Sequence, residues 1–573
     1  MAKRGSGKSG GRGKLADRSK ESKSTSPSRA STPDSGITVK VTLPAGAARG
    51  AAMGGPGVAA RAAAARKHFG KRRHRLLSMH PVEPTGPAAA AASGKEQKGE
   101  PVAYKSIYYD YTNNQAVEII SGPGGTRVSA TARQPLPNRE EFDAAVNALQ
   151  KDAEIGPALR DRTLTPYRPM PPVLGEPQPD GSTQRTLTVG LRPTDGTARH
   201  EIVAVDMATS AVRRFEAGAP GRSRADTGLC GVPDAGQATV DRGTPGQYDV
   251  VVKQGTTTVW QFHAIRPAAS SGTNGSALEL RDVKYRGKLV LKRAHVPILN
   301  VRYDNDACGP FRDWQWQEGQ FQADGSDVAP GFRECATEPR TVVESGNDAG
   351  DFAGVAVFRT ADEVVLVSEL EAGWYRYISQ WRFGMDGTIR PRFEFGAVQN
   401  SCVCNRHHHH VYWRLDFDIG TAGHNVVQEF NPRSLTGRGA GGWHTLRFEV
   451  RRPKDDTGQR KWRVQNATTH AAYEIRPGAN DGVADEAFGV GDFWALRYRR
   501  GEIDDGQDFT TDVALARANI DKFVQHESIV DTDVVVWYAA HFTHDVAGEE
   551  GGGGGHVDHI VGPDLVPTGW RRV

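Results

Sequence analysis

From Tyr248 to the carboxyl terminus, short runs of the chain alternate apolar and polar residues. Among them are YDVVVKQ, KLVLKRAHVPILNVRY, TIRPRFEF, VYWRLDFDI and TDVVVWYAA. Alternation with a period of two puts the apolar side chains on one face of a β-strand, and turns rich in Gly, Asn and Asp separate the runs. The pattern therefore predicts a mainly β protein, with a large antiparallel β-sandwich over residues 248–573.

The segment that precedes the sandwich predicts smaller units. Strand-like residues occupy 102–120, and residues 139–154 carry apolar side chains at helical spacing, at Phe142, Ala145, Val146 and Leu149. Two further alternating runs, LTVGLRP and HEIVAVDMATSAVRRFE, predict a hairpin. We therefore expect a small α+β segment with a Pro-rich linker over residues 101–180, and a small α+β domain over residues 181–247.

Charge is concentrated at the amino terminus. Residues 1–80 contain 18 Lys and Arg residues against 3 Asp and Glu residues, whereas the net charge of the whole chain is +4. A basic segment rich in Gly, Ser and Ala buries too little apolar surface to offset its ordering entropy, so residues 1–100 are predicted to form a disordered basic tail. The tail could contact nucleic acid or another acidic surface, or serve only as a solubilising segment.

Neither a membrane span nor a secretory signal is expected. No apolar run approaches the roughly 18 residues that cross a bilayer, and no apolar region follows the basic start MAKRGSGKSGGRGK. The chain has 5 cysteines, too few and too scattered to scaffold a protein of 573 residues. The sequence therefore predicts a cytoplasmic protein with mostly free thiols and no membrane partner.

Four consecutive histidines at 407–410 begin one of the predicted strands. Residues two apart on a strand share a face, so His407 and His409 project together and form half of a metal site. The apolar strand VVVWYAAHFTH offers His544 as the third ligand, with His541 as a nearby alternative. Three imidazoles with open positions suit Cu(II) and also Zn(II). Taken alone, the run is equally compatible with solvated histidines in a loop.

The sequence around these histidines resembles the catalytic domain of the copper amine oxidases. In that family an H-x-H strand continues into an R-L-D run, and a later D-x-V-V-W strand ends in Thr-His, whose His completes the copper site. The resemblance covers about residues 250–573 and includes segments 259–306 and 380–389. The matching positions are His407, His409, Arg414, Leu415, Asp416, Asp533, Val535, Val536, Trp537, Thr543 and His544.

The resemblance also implies a peripheral metal site beside the copper strands, usually filled by calcium. Asp416, Asp418 and Asp533, with the carbonyls of Phe417 and Val534, fall on its positions, and hard oxygen ligands suit Ca²⁺. The alternative is that these carboxylates only cap strand ends. Family resemblance further implies a homodimer.

In this family a tyrosine near the copper is oxidised by Cu(II) and O₂ to topaquinone. The quinone condenses with a primary amine and an aspartate removes the α-proton; aldehyde, ammonia and hydrogen peroxide are released. Counting back eleven residues from Asp386 places the precursor at Tyr375, with Tyr377 as a fallback. Three neighbours depart from the family pattern: Trp374 replaces Asn, Arg376 replaces an acid and Glu371 replaces Thr.

The catalytic base also departs from the family pattern. The tyrosine that precedes the base in the family matches Tyr303, and the same register places the base at Gln317. An amide accepts no proton at neutral pH. The neighbouring Glu318 reaches the same side only if a bulge turns it inward; otherwise it is a solvated edge carboxylate. The predicted catalytic residues are therefore Tyr375, Tyr303 and Glu318.

Cys402 and Cys404 lie just before the histidines. A C-x-C pair could load copper as a soft ligand set, act as a redox pair, or consist of two packed thiols.

Three functions follow as hypotheses. The first is a copper- and quinone-dependent oxidase of a small-molecule or peptide primary amine. The second is a copper-binding relative that lacks amine turnover or uses Cu/O₂ on another substrate, which Gln317 and Trp374 favour. The third is an interaction protein whose basic tail binds nucleic acid; the tail lacks interleaved aromatics and a nucleic-acid module, so it has least support. The amine oxidase assignment is the leading hypothesis.

Overall fold

The computed structural model describes most of the chain after residue 102 and two segments before it. The described ranges are 36–43, 56–82, 103–122, 125–131, 134–169, 172–177, 179, 183–194, 201–215, 230–240, 242–270, 272–309, 311–433, 440–455, 459–484, 488–507, 512–544 and 560–570. Among these residues, none of the helices is both long enough and apolar enough to cross a bilayer.

Strands dominate the described ranges. The first ten are β1 Ile37–Thr42, β2 His74–Val82, β3 Ala103–Asp110, β4 Gln115–Gly122, β5 Gly125–Thr131, β6 Leu164–Tyr167, β7 Val173–Pro177, β8 Thr183–Pro193, β9 Glu201–Asp206 and β10 Val212–Arg214. The next ten are β11 Gln247–Gln254, β12 Thr257–Ile265, β13 Glu279–Tyr285, β14 Lys288–Tyr303, β15 Gly325–Ala329, β16 Phe332–Cys335, β17 Val355–Arg359, β18 Glu363–Ala372, β19 Tyr375–Gly384 and β20 Ile389–Ala397. The last ten are β21 His407–Phe417, β22 Asn425–Arg433, β23 Ala440–Thr445, β24 Val450–Arg452, β25 Lys461–Asn466, β26 Ala472–Arg476, β27 Phe493–Arg497, β28 Val534–His544, β29 Ile560–Val561 and β30 Asp564–Thr568.

Helices are few and short by comparison. They are α1 Pro56–Phe69, α2 Arg139–Leu149, α3 Gly156–Arg160, α4 Val342–Ser345 and α5 Val513–Ala516, with 3₁₀ turns at Pro267–Ala269, Asp304–Asp306, Ser401–Cys404 and Ile520–Phe523.

Two large sheets form the sandwich predicted from the alternating pattern. The nine-stranded sheet has the order β1-β11-β12-β13-β14-β21-β28-β27-β24. The twelve-stranded sheet runs β15-β16-β17-β18-β19-β20-β30-β26-β25-β22-β23, with β29 paired to β20. Apart from the parallel pair β16–β17, neighbouring strands are antiparallel. The predicted fold class is therefore confirmed.

Aromatic side chains join the two sheets across the core. Phe262 of β12 stacks on Phe383 of β19 with ring centroids 4.4 Å apart. The indole of Trp260 donates to the carbonyl of Gly384 at 2.9 Å, because a buried Trp N–H needs an acceptor. These contacts pack the end of β19 against β12 of the nine-stranded sheet, in which β14, β21 and β28 lie side by side.

Two smaller sheets precede the sandwich, of four strands (β2-β3-β4-β5) and five strands (β6 to β10). The predicted helix is present as α2. Its N-cap Asn138 accepts a hydrogen bond from the backbone of Glu141, and Ala145 and Leu149 are buried, as the spacing indicates. The predicted hairpin is the pair β8–β9. The Pro-rich segment expected to be a linker contributes β6 and β7, which flank β8.

The expectation of a disordered tail over residues 1–100 is wrong for the two segments described there, which form three elements. Strand β1 pairs along its length with β11, β2 pairs with β3, and α1 buries Ala65 and Phe69 against the four-stranded sheet. Low local hydropathy predicted disorder, but docking on a preformed sheet supplies the missing burial and backbone hydrogen bonds. The rest of the predicted tail lies outside the described residues.

The expectation of mostly free thiols is also wrong. Cys230 is joined to Cys404 and Cys308 to Cys402, across sequence separations of 174 and 94 residues. Cys335 is buried and free. The sequence could not show these pairs because only the packed loops bring their Cα atoms to 5.2 and 6.1 Å. Such bonds persist in oxidising compartments, which argues against the cytoplasmic location predicted above.

Candidate metal centre and active site

The predicted histidine ligands meet between β21 and β28. These strands are antiparallel neighbours, and their register places His407 directly opposite His544. His409 lies two residues further along the same face, and the ligand atoms of all three lie within 4.8 Å of one another. The register thus brings together residues that are far apart in the chain.

The local contacts of His407 leave one of its ring nitrogens available to bind a metal. Its Nδ1 lies 2.6 Å from the carbonyl oxygen of Asn405, so Nδ1 carries the proton and Nε2 is left as the donor. That Nε2 lies 3.2 Å from Nδ1 of His544. Both His407 and His409 are fully buried. The donor set therefore fits Cu(II) or Zn(II).

The other two histidines of the run face away from this cluster. Nδ1 of His408 lies 3.0 Å from Thr543 Oγ1. His410 pairs with His541, with their Nδ1 atoms 2.8 Å apart. His541, the alternative third ligand, therefore belongs to the opposite face of the sheet.

Tyr375, the predicted quinone precursor, lies against the histidines from the facing sheet. It begins β19, is 1% exposed, and its hydroxyl contacts Nε2 of His407. Its hydroxyl is also hydrogen-bonded to that of Tyr303. Burial raises the pKa of Tyr375 well above its usual value. The indole of Trp374 donates to Tyr303 Oη at 2.8 Å, so the residue that replaces the family's Asn holds the second tyrosine.

Sequence reasoning missed a buried carboxylate beside these rings. Tyr377 stacks on Tyr375, with ring centroids 5.1 Å apart and planes at 8°, and donates its hydroxyl hydrogen to Asp313 Oδ2. Oδ1 of Asp313 has no hydrogen-bond partner among the described residues. Burial raises the pKa of Asp313 to about 8, although the hydrogen bond from Tyr377 acts in the opposite direction. The only indication in the sequence is that Asp313 lies between Tyr303 and Gln317. The segment around it has no alternating pattern that predicts which way its side chain points.

Glu318, the predicted base, lies elsewhere in the core. Its carboxylate is bound by the guanidinium of Arg266, with Nε 2.9 Å from Oε1, and also accepts the backbone N–H of Ala268. Both carboxylate oxygens of Glu318 are therefore occupied by donors from Arg266. The structure therefore opposes this role for Glu318. Glu318 points into the core because its partner Arg266 lies there. It is not turned towards the tyrosine.

Gln317 is bound as an amide. Its Oε1 accepts from Trp314 Nε1 at 3.1 Å and its Nε2 donates to Thr239 Oγ1 at 2.9 Å. Both ends of the side chain are thus used structurally.

The three carboxylates of the second predicted site also converge. The ligand oxygens of Asp416, Asp418 and Asp533 lie within 4.8 Å of one another. Oδ1 of Asp418 and Oδ1 of Asp533 are buried without a hydrogen-bond partner in the described part of the chain. Burial, followed by repulsion from the neighbouring carboxylates, raises the pKa of Asp418 to about 7 and that of Asp533 to about 8. Unpaired buried oxygens of this kind fit a hard divalent cation.

Comparison with solved structures finds this architecture in known oxidases. The copper-containing benzylamine oxidase from Hansenula polymorpha aligns with a TM-score of 0.52 at 12% identity, over 87% of this chain and 94% of that one. The Aspergillus nidulans amine oxidase aligns with a TM-score of 0.51 at 14% identity, over 89% of this chain and 87% of that one. The chain has the copper amine oxidase fold.

Comparisons at the level of sequence find no match. No protein-family model matches the chain, and no curated protein matches it. The copper amine oxidase-like sandwich is therefore established at the level of fold, and activity has to be argued from the site itself.

Proposed function

We propose that this protein is a copper-dependent oxidoreductase that converts a primary amine, O₂ and water to an aldehyde, ammonia and hydrogen peroxide through a quinone derived from Tyr375. The observation that carries the proposal is the contact between the Tyr375 hydroxyl and Nε2 of His407, inside the cluster completed by His409 and His544.

His407, His409 and His544 are the proposed copper ligands. Bound there, copper supplies the redox chemistry with O₂ that converts the neighbouring tyrosine ring to a quinone. The carbonyl of Asn405 holds His407 in the tautomer that presents Nε2. Phe395, whose ring centroid is 4.5 Å from that of His409, closes one side of the cluster to water.

Asp313 is the proposed proton acceptor. Its Oδ2 is fixed by Tyr377, and its Oδ1 carries no hydrogen bond within the described structure, so one oxygen is free to take the α-proton of the amine. A base whose pKa lies near the working pH combines availability with driving force, and burial raises the pKa of Asp313 into that range. Tyr303 orients the ring of Tyr375 through their shared hydrogen bond.

The Asp416, Asp418 and Asp533 cluster is proposed as a structural Ca²⁺ site. Asp416 and Asp418 lie at the end of β21, whose other end carries His407. A cation that neutralises the carboxylates would stabilise the strand that carries the copper ligands.

The decisive experiment is spectroscopic. The protein is loaded with copper under air and treated with phenylhydrazine, which reacts with quinone carbonyls. We expect a visible hydrazone band that is absent in Tyr375→Phe and retained in Tyr285→Phe, a buried tyrosine outside the site. Hydrogen peroxide release on addition of primary amines then measures turnover.

A second candidate is a copper protein without amine turnover. Its support is the enclosure of Tyr375, since Trp374 is hydrogen-bonded over Tyr303 and the following Arg376 is fixed by Asp348. Stoichiometric copper with no hydrazone band would establish this alternative and refute quinone formation.

A further inference from the structure

A segment that we call the strap, residues 230–240, crosses the end of β20. The backbone N–H of Val232 donates to the carbonyl of Ala397 at 2.9 Å, and Gln399 returns a hydrogen bond to Val232 at 2.8 Å. Asn400 likewise donates to the carbonyl of Cys230 at 3.0 Å. The strap therefore lies on the residues that lead from β20 into the turn before the metal strand β21.

The far end of the strap reaches the residues around Glu318. Gln237 donates to the carbonyl of Gln320 at 2.7 Å and to Asp348 Oδ1 at 2.9 Å. Val240 and Glu318 exchange backbone hydrogen bonds at 3.0 Å. Cys230 and Val232 pack against the core, and the other contacts of the strap are polar and are spread along its length.

A small cavity of about 30 Å³ lies where the strap meets the end of β20. Asp234 of the strap forms part of its wall and pairs with Arg192 at 3.3 Å. The wall also includes Glu371, whose Oε2 is buried without a hydrogen-bond partner in the described structure, and Trp374, whose indole donates to Tyr303 Oη. Displacing Asp234 would therefore open this polar cavity, in whose wall Trp374 lies.

The two disulfides differ in their exposure. Cys230 and Cys404, which fasten the start of the strap to the turn before β21, are both partly exposed. Cys308 and Cys402 are buried, at 8% and 5% exposure. Thiol–disulfide exchange requires a thiolate to reach a sulfur, so accessibility makes the first bond the reactive one.

We propose that Cys230–Cys404 is a site of reversible thiol–disulfide exchange that latches the strap over the cavity at Trp374. In the opening step a dithiol reductant is oxidised to its disulfide, the Cys230–Cys404 bond breaks, and two thiols form. Cys308–Cys402 stays closed and keeps the loop between Tyr303 and β21 in place. The latch itself is independent of the proposed oxidase; only its consequence for access to Tyr375 rests on that function.

The first test follows the thiols of the intact protein. It is equilibrated anaerobically with dithiothreitol at graded ratios of reduced to oxidised form, alkylated, and mapped by peptide mass spectrometry. We expect labelling of Cys230 and Cys404 at ratios that leave Cys308 and Cys402 unlabelled. Simultaneous labelling of all four, or earlier labelling of the buried pair, overturns the proposal.

The second test measures opening by amide hydrogen exchange. In the double variant Cys230→Ser/Cys404→Ser we expect exchange about tenfold faster over residues 230–240 and 371–376. The matched controls are wild type and Cys335→Ser, in which these peptides stay protected. Unchanged protection in the double variant refutes the latch. If that variant fails to fold, amide hydrogen exchange is measured instead in wild-type protein whose Cys230–Cys404 bond has been selectively reduced. The same increase over the same peptides is expected there.

A third arm separates the latch from the oxidase. The latch predicts about tenfold faster reaction of phenylhydrazine with the opened protein than with the closed protein. Absence of the hydrazone band in both refutes the proposed oxidase and leaves the exchange and labelling results standing. An equal rate in both forms, with the band present, refutes control of access by the strap.

Discussion

The hydroxyl of Tyr377 donates to Oδ2 of Asp313, and the other carboxylate oxygen of Asp313 accepts no hydrogen bond in the described structure. Because Tyr375 and Tyr377 are two residues apart on β19, their rings share a face and stack. The strand thereby places an oriented carboxylate one ring away from the predicted quinone precursor. This carboxylate is the proposed proton acceptor in place of Gln317.

Asp313→Asn should remove most amine turnover without removing the metal. Losing a positioned general base costs about 10²- to 10⁴-fold in rate, and the amide is close in size to the carboxylate. Steady-state peroxide release and copper content by elemental analysis measure the two effects. The control is Asp306→Asn, in the same loop but partly exposed and paired with Arg302. Equal turnover in Asp313→Asn and wild type contradicts the assignment.

The pH dependence of turnover should follow Asp313. Burial raises the pKa of this carboxyl to about 8, so it is protonated and inactive as a base below that pH, and kcat/KM should rise with half-maximal value near pH 8. In Tyr377→Phe the hydrogen bond that lowers the pKa is lost, and the acidic limb should move to higher pH. Profiles of kcat/KM against pH for both proteins provide the check. If the acidic limb stays at the same pH in Tyr377→Phe, Tyr377 is not bonded to the catalytic base.

Single substitutions should identify the copper ligands. We expect His407→Ala, His409→Ala and His544→Ala each to bind less than about a tenth of the copper of wild type at limiting metal, because two imidazoles alone hold it weakly. His408→Ala is the matched control, since this side chain points to the opposite face near Thr543. Elemental analysis after dialysis gives the stoichiometry. Full copper content in any of the three ligand variants excludes that residue.

Calcium should stabilise the folded protein through the carboxylate cluster. At a hundredfold excess over Kd, a cation that binds only the folded state adds about 2.7 kcal/mol to the free energy of unfolding. The rise in Tm with added Ca²⁺ should vanish in Asp418→Asn and Asp533→Asn. It should persist in Asp282→Asn, a nearby carboxylate that is 49% exposed and paired with Lys292. Calorimetry in EGTA and in Ca²⁺ distinguishes these results.

Glu318→Gln should act on stability, not on the base. Arg266 and Glu318 form a buried pair, and removal of one partner leaves an uncompensated charge, which costs about 3–5 kcal/mol. A Cβ at Gly246 or Gly331 would lie 1.9 Å from the Arg266 side chain, so the surrounding backbone is built for this guanidinium. Chemical denaturation measures the loss. A normal denaturation midpoint with abolished turnover would instead restore Glu318 as the base.

Strands with regular alternation could be predicted from the sequence because their pattern depends only on which face is buried. The same holds for His407 and His409, which share a face by periodicity alone, and for α2, whose apolar spacing matches a helix. Family resemblance placed Tyr375, Tyr303, His544 and the three aspartates, which the structure brings into two clusters. The activity and the roles of these residues stay proposals.

Loops and long-range pairings could not be predicted, because no periodic pattern in the sequence relates one partner to the other. Asp313 faces Tyr377, Glu318 faces Arg266, and the cysteines pair, only because loops between strands pack in three dimensions. Strand β1 likewise has an unremarkable sequence and is ordered by the edge of β11. The sequence by itself determined the sandwich and the facing histidines, because local periodicity encodes burial. The tertiary structure alone decided the contact of Asp313 with Tyr377, the ion pair and the disulfides, because their energy comes from partners distant in the chain.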